Sequence, residues 1–147
     1  MDRSYAKKIA SRQRKVAEKK AYRILTYELN LDEIKSDRSV EFYDECEMYE
    51  LALSDAKTEH AAKLKLLDTI YYFIAPEPAL ATEMEARNKP KNILKLDLQK
   101  SIDAIESSHE ASMANISSRY DIFIKKKKAA CEKDLVAIED NAKNNAD

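Results

Sequence analysis

No glycine occurs among the 147 residues of the chain. Glycine alone enters positive φ without steric cost, so tight turns, phosphate-cradling loops and close backbone approaches ordinarily depend on it. Its absence excludes the glycine-rich nucleotide-binding folds and argues against hairpin-rich β architecture. What stays open is an all-α chain of long helices, read as a single helical domain over residues 1–147. Proline ends helices and pushes the preceding residue away from the α conformation. Pro76, Pro78 and Pro90 fall in one short segment, which places a connection at 76–90. Inside it Thr82-x-x-Glu85 has the spacing of a capping box, enough for one bridging helical turn. A softer break is expected at Ser36-Asp37-Arg38-Ser39, because serine and aspartate bond to their own backbone and start helices. The reading is an elongated antiparallel three-helix bundle or coiled coil without sheet. Its helices span about 3–35, 38–75 and 91–143.

Hydrophobic spacing agrees with this architecture. In the second helix Phe42, Cys46, Tyr49, Leu53, Ala56, His60, Lys63, Leu67, Ile70 and Ile74 alternate steps of four and three, a heptad seam. The third carries Leu98, Ile102, Ile105, His109, Met113, Ile116, Tyr120, Ile124, Lys127, Cys131, Leu135, Ile138 and Ala142. Beyond His109 these advance in steps close to 3.67, which implies a nearly straight helix. The first presents Tyr5, Ile9, Val16, Tyr27, Leu31 and Ile34, with Gln13 and Lys20 interrupting the stripe. Near the proline segment the apolar residues outgrow one seam: Leu64, Leu66, Tyr71, Tyr72 and Phe73, joined by Leu96 from the next helix. A helix apolar nearly all round is covered on more than one side, so these six residues are the expected protein-interaction surface.

Charge is abundant but balanced, with 36% charged residues and a net charge of −1. That composition suits solvated helix faces laced with ion pairs. The distribution is uneven. Nine bases lie between Met1 and Arg23 against Asp2 and Glu18, and eleven acids lie between Glu28 and Glu59 against Lys35, Arg38 and Lys57. The simplest account is mutual pairing of the basic helix with an acidic neighbour. The alternative is polyanion binding by Lys8, Arg12, Lys15 and Lys19, which share one helix face and have the spacing to follow nucleic-acid phosphates.

Little in the sequence supports a reaction. Cys46 and Cys131 form no metal-binding pair or disulfide framework and read as two buried thiols in a reducing compartment. Glu106 and His109 share a helix face at the spacing used in carboxylate-bridged metal bundles, with His60 as a third ligand only if both histidines occupy one layer. A polar layer that fixes register is the preferred reading, so no metal and no cofactor are expected. Long helices without loop-lined pockets argue against an enzyme. The N-terminal residues MDRSYAKKIASRQRK lack the apolar stretch of a signal peptide. The window Leu64–Ala75 is too short to span a bilayer and contains Lys65 and Asp68. The expectation is therefore a non-enzymatic structural or adaptor protein, cytoplasmic or within an intracellularly assembled particle. It would act through protein partners or self-association, as small helical parts of virions and secretion assemblies do, with no transmembrane segment.

Overall fold

The computed structural model describes residues 3–74 and 81–144. They form two helices, α1 (Arg3–Ile74) and α2 (Ala81–Asn144), and no strand occurs among the described residues. The expected three helices are thus two. α1 runs unbroken through Ser36–Ser39, and within this cluster the Ser39 hydroxyl bonds back into the helix. Ser39 Oγ donates to the Lys35 carbonyl at 3.0 Å. Thr26 and Thr69 do the same to the carbonyls of Tyr22 at 3.0 Å and Lys65 at 2.8 Å. Such bonds let a small polar residue sit inside a helix at slight cost, and no glycine or proline is at hand to enforce a turn.

α2 begins about ten residues earlier than expected, so Pro90 lies within it. Proline removes one backbone hydrogen bond and crowds the carbonyl four residues before it. Here its ring is partly buried and lines an apolar groove with Ile93 and Leu94, which offsets part of that cost. Thr82 and Glu85 both fall within the bounds of α2, and Pro76 and Pro78 lie outside the described residues.

Contacts group the chain into two units: Met1–Glu41 with Ile116–Asp147, and Phe42–Asn115. In the first unit α1 and α2 pack antiparallel. Ile9, Val16, Tyr27, Leu31 and Ile34 are partly buried, and on α2 Ile116, Tyr120 and Cys131 are buried with Ile124, Leu135, Ile138 and Ala142 partly buried at their flanks. Tyr5 and Lys127, both expected on seams, are exposed. Lys20, which interrupts the α1 stripe, is paired with Glu139. One turn on, Arg23 Nε donates to Asp134 Oδ2 at 2.6 Å. The acidic partners of these two bases therefore come from the end of α2, not from the stretch between Glu28 and Glu59.

The second unit is also an antiparallel helix pair. Phe42, Tyr49, Leu53, Ala56, His60 and Leu67 turn inward as the spacing predicts, whereas Cys46, Lys63 and Ile70 are exposed and Leu64 and Tyr71 take the inward positions. A straight α-helix drifts about 20° per heptad from a strict seven-residue repeat. By the last turns of α1 that drift has moved the seam one residue along. It also replaces a lysine by a leucine at the interface. On α2, Leu98, Ile102, Ile105, His109 and Met113 all face inward as expected.

Candidate interaction surfaces

The apolar surface near the proline segment belongs to the Phe42–Asn115 unit. Of its six expected residues, Leu66, Tyr72, Phe73 and Leu96 are exposed, Phe73 most of all at 78%. Leu64 and Tyr71 are drawn partly into the helix pair, and the Arg87 guanidinium lies 5.4 Å from the centre of the Tyr71 ring. Tyr72 and Phe73 meet edge to face with ring centres 5.8 Å apart, an arrangement aromatic quadrupoles favour. Between the helices Leu66, Leu67 and Ile70 face Pro90, Ile93 and Leu94 across an open groove of about 320 Å³, with Lys63 at its rim. The groove exists because the drift of the α1 seam turns Ile70 outward while Pro90 occupies the facing wall. Lys91 Nζ donates to Asp68 Oδ1 at 2.7 Å and holds the helices in register beside it. The composition near the prolines pointed to this surface. Pro90 forms part of its wall, although proline in sequence marks a connection.

The histidine layer does not form. His109 stacks on Tyr49, with ring centres 4.1 Å apart, and its Nδ1 lies 3.3 Å from Glu45 Oε1. With Tyr49 opposite His109 in an antiparallel pair, His60 falls opposite about residue 98, some three turns from His109. The triad His60, His109 and Glu106 is therefore not brought together. No group of three or more metal-binding side chains occurs among the described residues. His109 is part of a polar layer, but its partners are Glu45 and Tyr49.

The basic face lies in the other unit. Lys8, Arg12, Lys15 and Lys19 are all exposed, as expected of a stripe on one face. Arg12, Lys15 and Lys19 border a groove of about 260 Å³ floored by Val16, Ile138 and Ala142. A neighbouring groove of about 450 Å³ is lined by Lys15, Glu18, Lys19, Tyr22, Arg23 and Ile138. Tyr22, Leu25 and Leu29 are exposed on α1, a second apolar stripe that was missed. Its signal was present as apolar residues at i, i+3 and i+7 beside the inward residues Arg23, Tyr27 and Leu31.

A further polar cluster in that unit fastens α1 to α2. Arg119 Nη2 donates to Glu41 Oε1 at 3.1 Å. The Tyr120 hydroxyl first, and the Arg119 guanidinium second, hold the Glu41 carboxyl below its usual range. Glu41 in turn pushes the Tyr120 phenol up. Lys20 likewise lowers the Glu139 carboxyl. The two carboxylates are thereby favoured in their charged form, each paired with a base on the other helix.

No family model, curated protein or solved structure matches this chain. No helix among the described residues is long and apolar enough to cross a membrane.

Proposed function

We propose that the chain is a non-enzymatic structural or adaptor component of a larger protein assembly, acting through side-chain contacts on its two helices. The observation that supports this reading is the surplus of exposed apolar side chains in the Phe42–Asn115 unit: Leu66, Ile70 and Ile93 are exposed along an open apolar groove, and Tyr72, Phe73 and Leu96 are exposed elsewhere in the unit. Burying one such side chain is worth about 1.5–3 kcal/mol. A few together readily drive association, and exposed apolar surface beyond what a helix pair needs marks interaction sites. A helix laid along the groove would meet Ile70 and Ile93 on its walls and Lys63 at its polar rim, the arrangement used when an amphipathic helix docks in a groove.

The test is light scattering of the purified chain over a wide concentration range, repeated with Leu66→Ser/Phe73→Ser. Both positions are exposed, so the variant keeps its helix content while association through this surface falls. Concentration-independent monomer in the parent chain, with no effect of the substitutions on binding to any co-purifying protein, refutes the reading.

A second reading is nucleic-acid binding through the exposed face of Lys8, Arg12, Lys15 and Lys19. It requires affinity for a random oligonucleotide that falls steeply with salt, because each neutralised phosphate releases counterion. Protein contact is preferred because Glu18 lies within the same face and acids follow it along α1.

A further inference from the structure

The exposed stripe of α1 in the Met1–Glu41 unit carries charges of opposite sign at its two ends. Residues 3–23 hold nine bases and one acid, Glu18, whereas residues 28–41 hold five acids against Lys35 and Arg38. Between these ends Tyr22, Leu25 and Leu29 are 74%, 52% and 61% exposed. Arg14, Lys15, Lys19, Glu28, Asp32 and Glu33 are exposed, and none forms an ion pair among the described residues. Lys20 and Arg23, one face round, are already committed to Glu139 and Asp134. The outward face is thus apolar at its middle, basic before and acidic after.

We propose that this face docks on the same face of a second copy of the chain, with the two α1 segments antiparallel about a two-fold axis between residues 23 and 24. The inference rests on the protein-contact reading above and names one partner for it. The register follows from the side chains. Helices meeting along stripes spaced by threes and fours pair each inner position with its complement when they run antiparallel. Setting Tyr22 against Leu25 of the second copy puts Lys15 opposite Asp32 of that copy, flanked by Arg14 with Glu33 and Lys19 with Glu28. Two-fold symmetry makes every one of these pairs twice. Glu18 falls beside Leu29 of the second copy, where its methylenes cover the leucine and its carboxylate stays in water.

Other arrangements do worse. A parallel pair sets Lys15 on Lys15 and Asp32 on Asp32, which repel. Sliding the antiparallel pair seven residues one way sets Lys19 against Lys35. Sliding it seven the other way keeps some charge pairs but separates Tyr22 from Leu25 and leaves Leu29 against Ser11. Among these arrangements only the proposed register satisfies the apolar centre and both charged ends. The groove of Lys15, Glu18, Lys19, Tyr22 and Arg23 runs from this face round to Ile138 at the α1–α2 seam. A phosphate backbone following the bases would instead run onto Glu28, Asp32 and Glu33.

Charge swapping tests this. Light scattering is measured for the parent chain, for Lys15→Glu/Lys19→Glu, for Glu28→Lys/Asp32→Lys, and for an equal mixture of the two variants. Circular dichroism confirms that helix content is kept, since all four positions are exposed. The expected result is dimer in the parent, association weakened at least about tenfold in each variant alone, and dimer regained in the mixture, where every reversed charge again meets its opposite. Added salt weakens the parent dimer. Parent-like association of either variant, or no regain in the mixture, overturns the proposal. So does a parent monomer that binds a random oligonucleotide with steep salt dependence, which gives the stripe to phosphates. If association survives both charge reversals but is lost in Leu66→Ser/Phe73→Ser, this docking fails while the protein-contact reading stands.

Discussion

Replacing Ser36 and Ser39 together by alanine separates a continuous α1 from one restarted at a serine cap, because the two predict opposite signs. Were residues 36–39 a turn between helices, one of the cluster would cap the second helix. Loss of a capping hydroxyl costs about 0.5–2 kcal/mol. In the structure Ser39 lies within the helix and spends its hydroxyl on the Lys35 carbonyl, and both serines are exposed. Alanine then replaces a poorer helix former at an interior site, a gain of about 0.5 kcal/mol at each position. The surrendered bond offsets little, since the exposed Lys35 carbonyl keeps its helical partner and has access to water. The expected outcome is a stabilisation of about 1 kcal/mol for the pair.

Urea unfolding followed by circular dichroism measures it, at one fixed protein concentration because self-association would itself shift the midpoint. The midpoint rises while the slope stays constant, since the surface exposed on unfolding is unchanged. A destabilisation of about 0.5 kcal/mol or more would refute the continuous helix and restore the cap. Substituting Asp37 is a poorer probe, because its charge also acts on Tyr120.

Two further outcomes follow from burial and charge. Ile116→Ala in α2, where the side chain is only 6% exposed, is expected to cost about 2–3 kcal/mol, the lower part of the range for buried isoleucine because a two-helix seam closes partly over the cavity; Ile122→Ala on the same helix, 51% exposed, costs under about 1 kcal/mol, and equal midpoint shifts would show the seam is misplaced. Glu41 and Glu139 have lowered carboxyl pKa values, so the stability they contribute is present above the ordinary carboxylate range and lost as pH falls through it. Tyr120 is raised by Glu41, so its contribution is present below the ordinary phenol range and lost as pH rises through its folded value. Glu41→Gln is expected to flatten both limbs of a melting temperature against pH profile, and an unaltered profile would remove Glu41 as the link.

The seam of α2 was legible almost residue by residue. Its apolar positions advance by threes and fours at close to the natural period of a straight helix, and of those from Leu98 to Ala142 only Lys127 turns outward. The second half of α1 was harder because two repeats coexist there. From His60 a strict heptad continues through Lys63 and Ile70, whereas a straight helix continues through Leu64 and Tyr71. Both routes pass through Leu67, so spacing alone did not separate them. The energetics did, since the heptad route draws a lysine toward the seam and the straight route a leucine. The missing break at Ser36–Ser39 has a related cause. A serine at a helix start and one bonded back to the fourth preceding carbonyl look alike in sequence, and only the conformation of the preceding residues distinguishes them.

Two packed helices each need one apolar stripe, and the sequence supplies more. The surplus at Leu66, Tyr72, Phe73 and Leu96 was visible because it stands beside the prolines and crowds a single stretch. The surplus at Tyr22, Leu25 and Leu29 was hidden among lysines and acids that read as solvated surface. Once α1 is one helix and its inward face is assigned, those same charges acquire a direction, positive toward the N-terminus and negative beyond Leu25. A solvated face has no requirement for such order, since scattered charges of both signs keep a helix equally soluble. An antiparallel copy does have that requirement, because only segregated ends let each base meet an acid when the helix is reversed on itself. On the proposed docking, the segregation that suggested either internal pairing or phosphate binding follows from the two-fold symmetry of the contact.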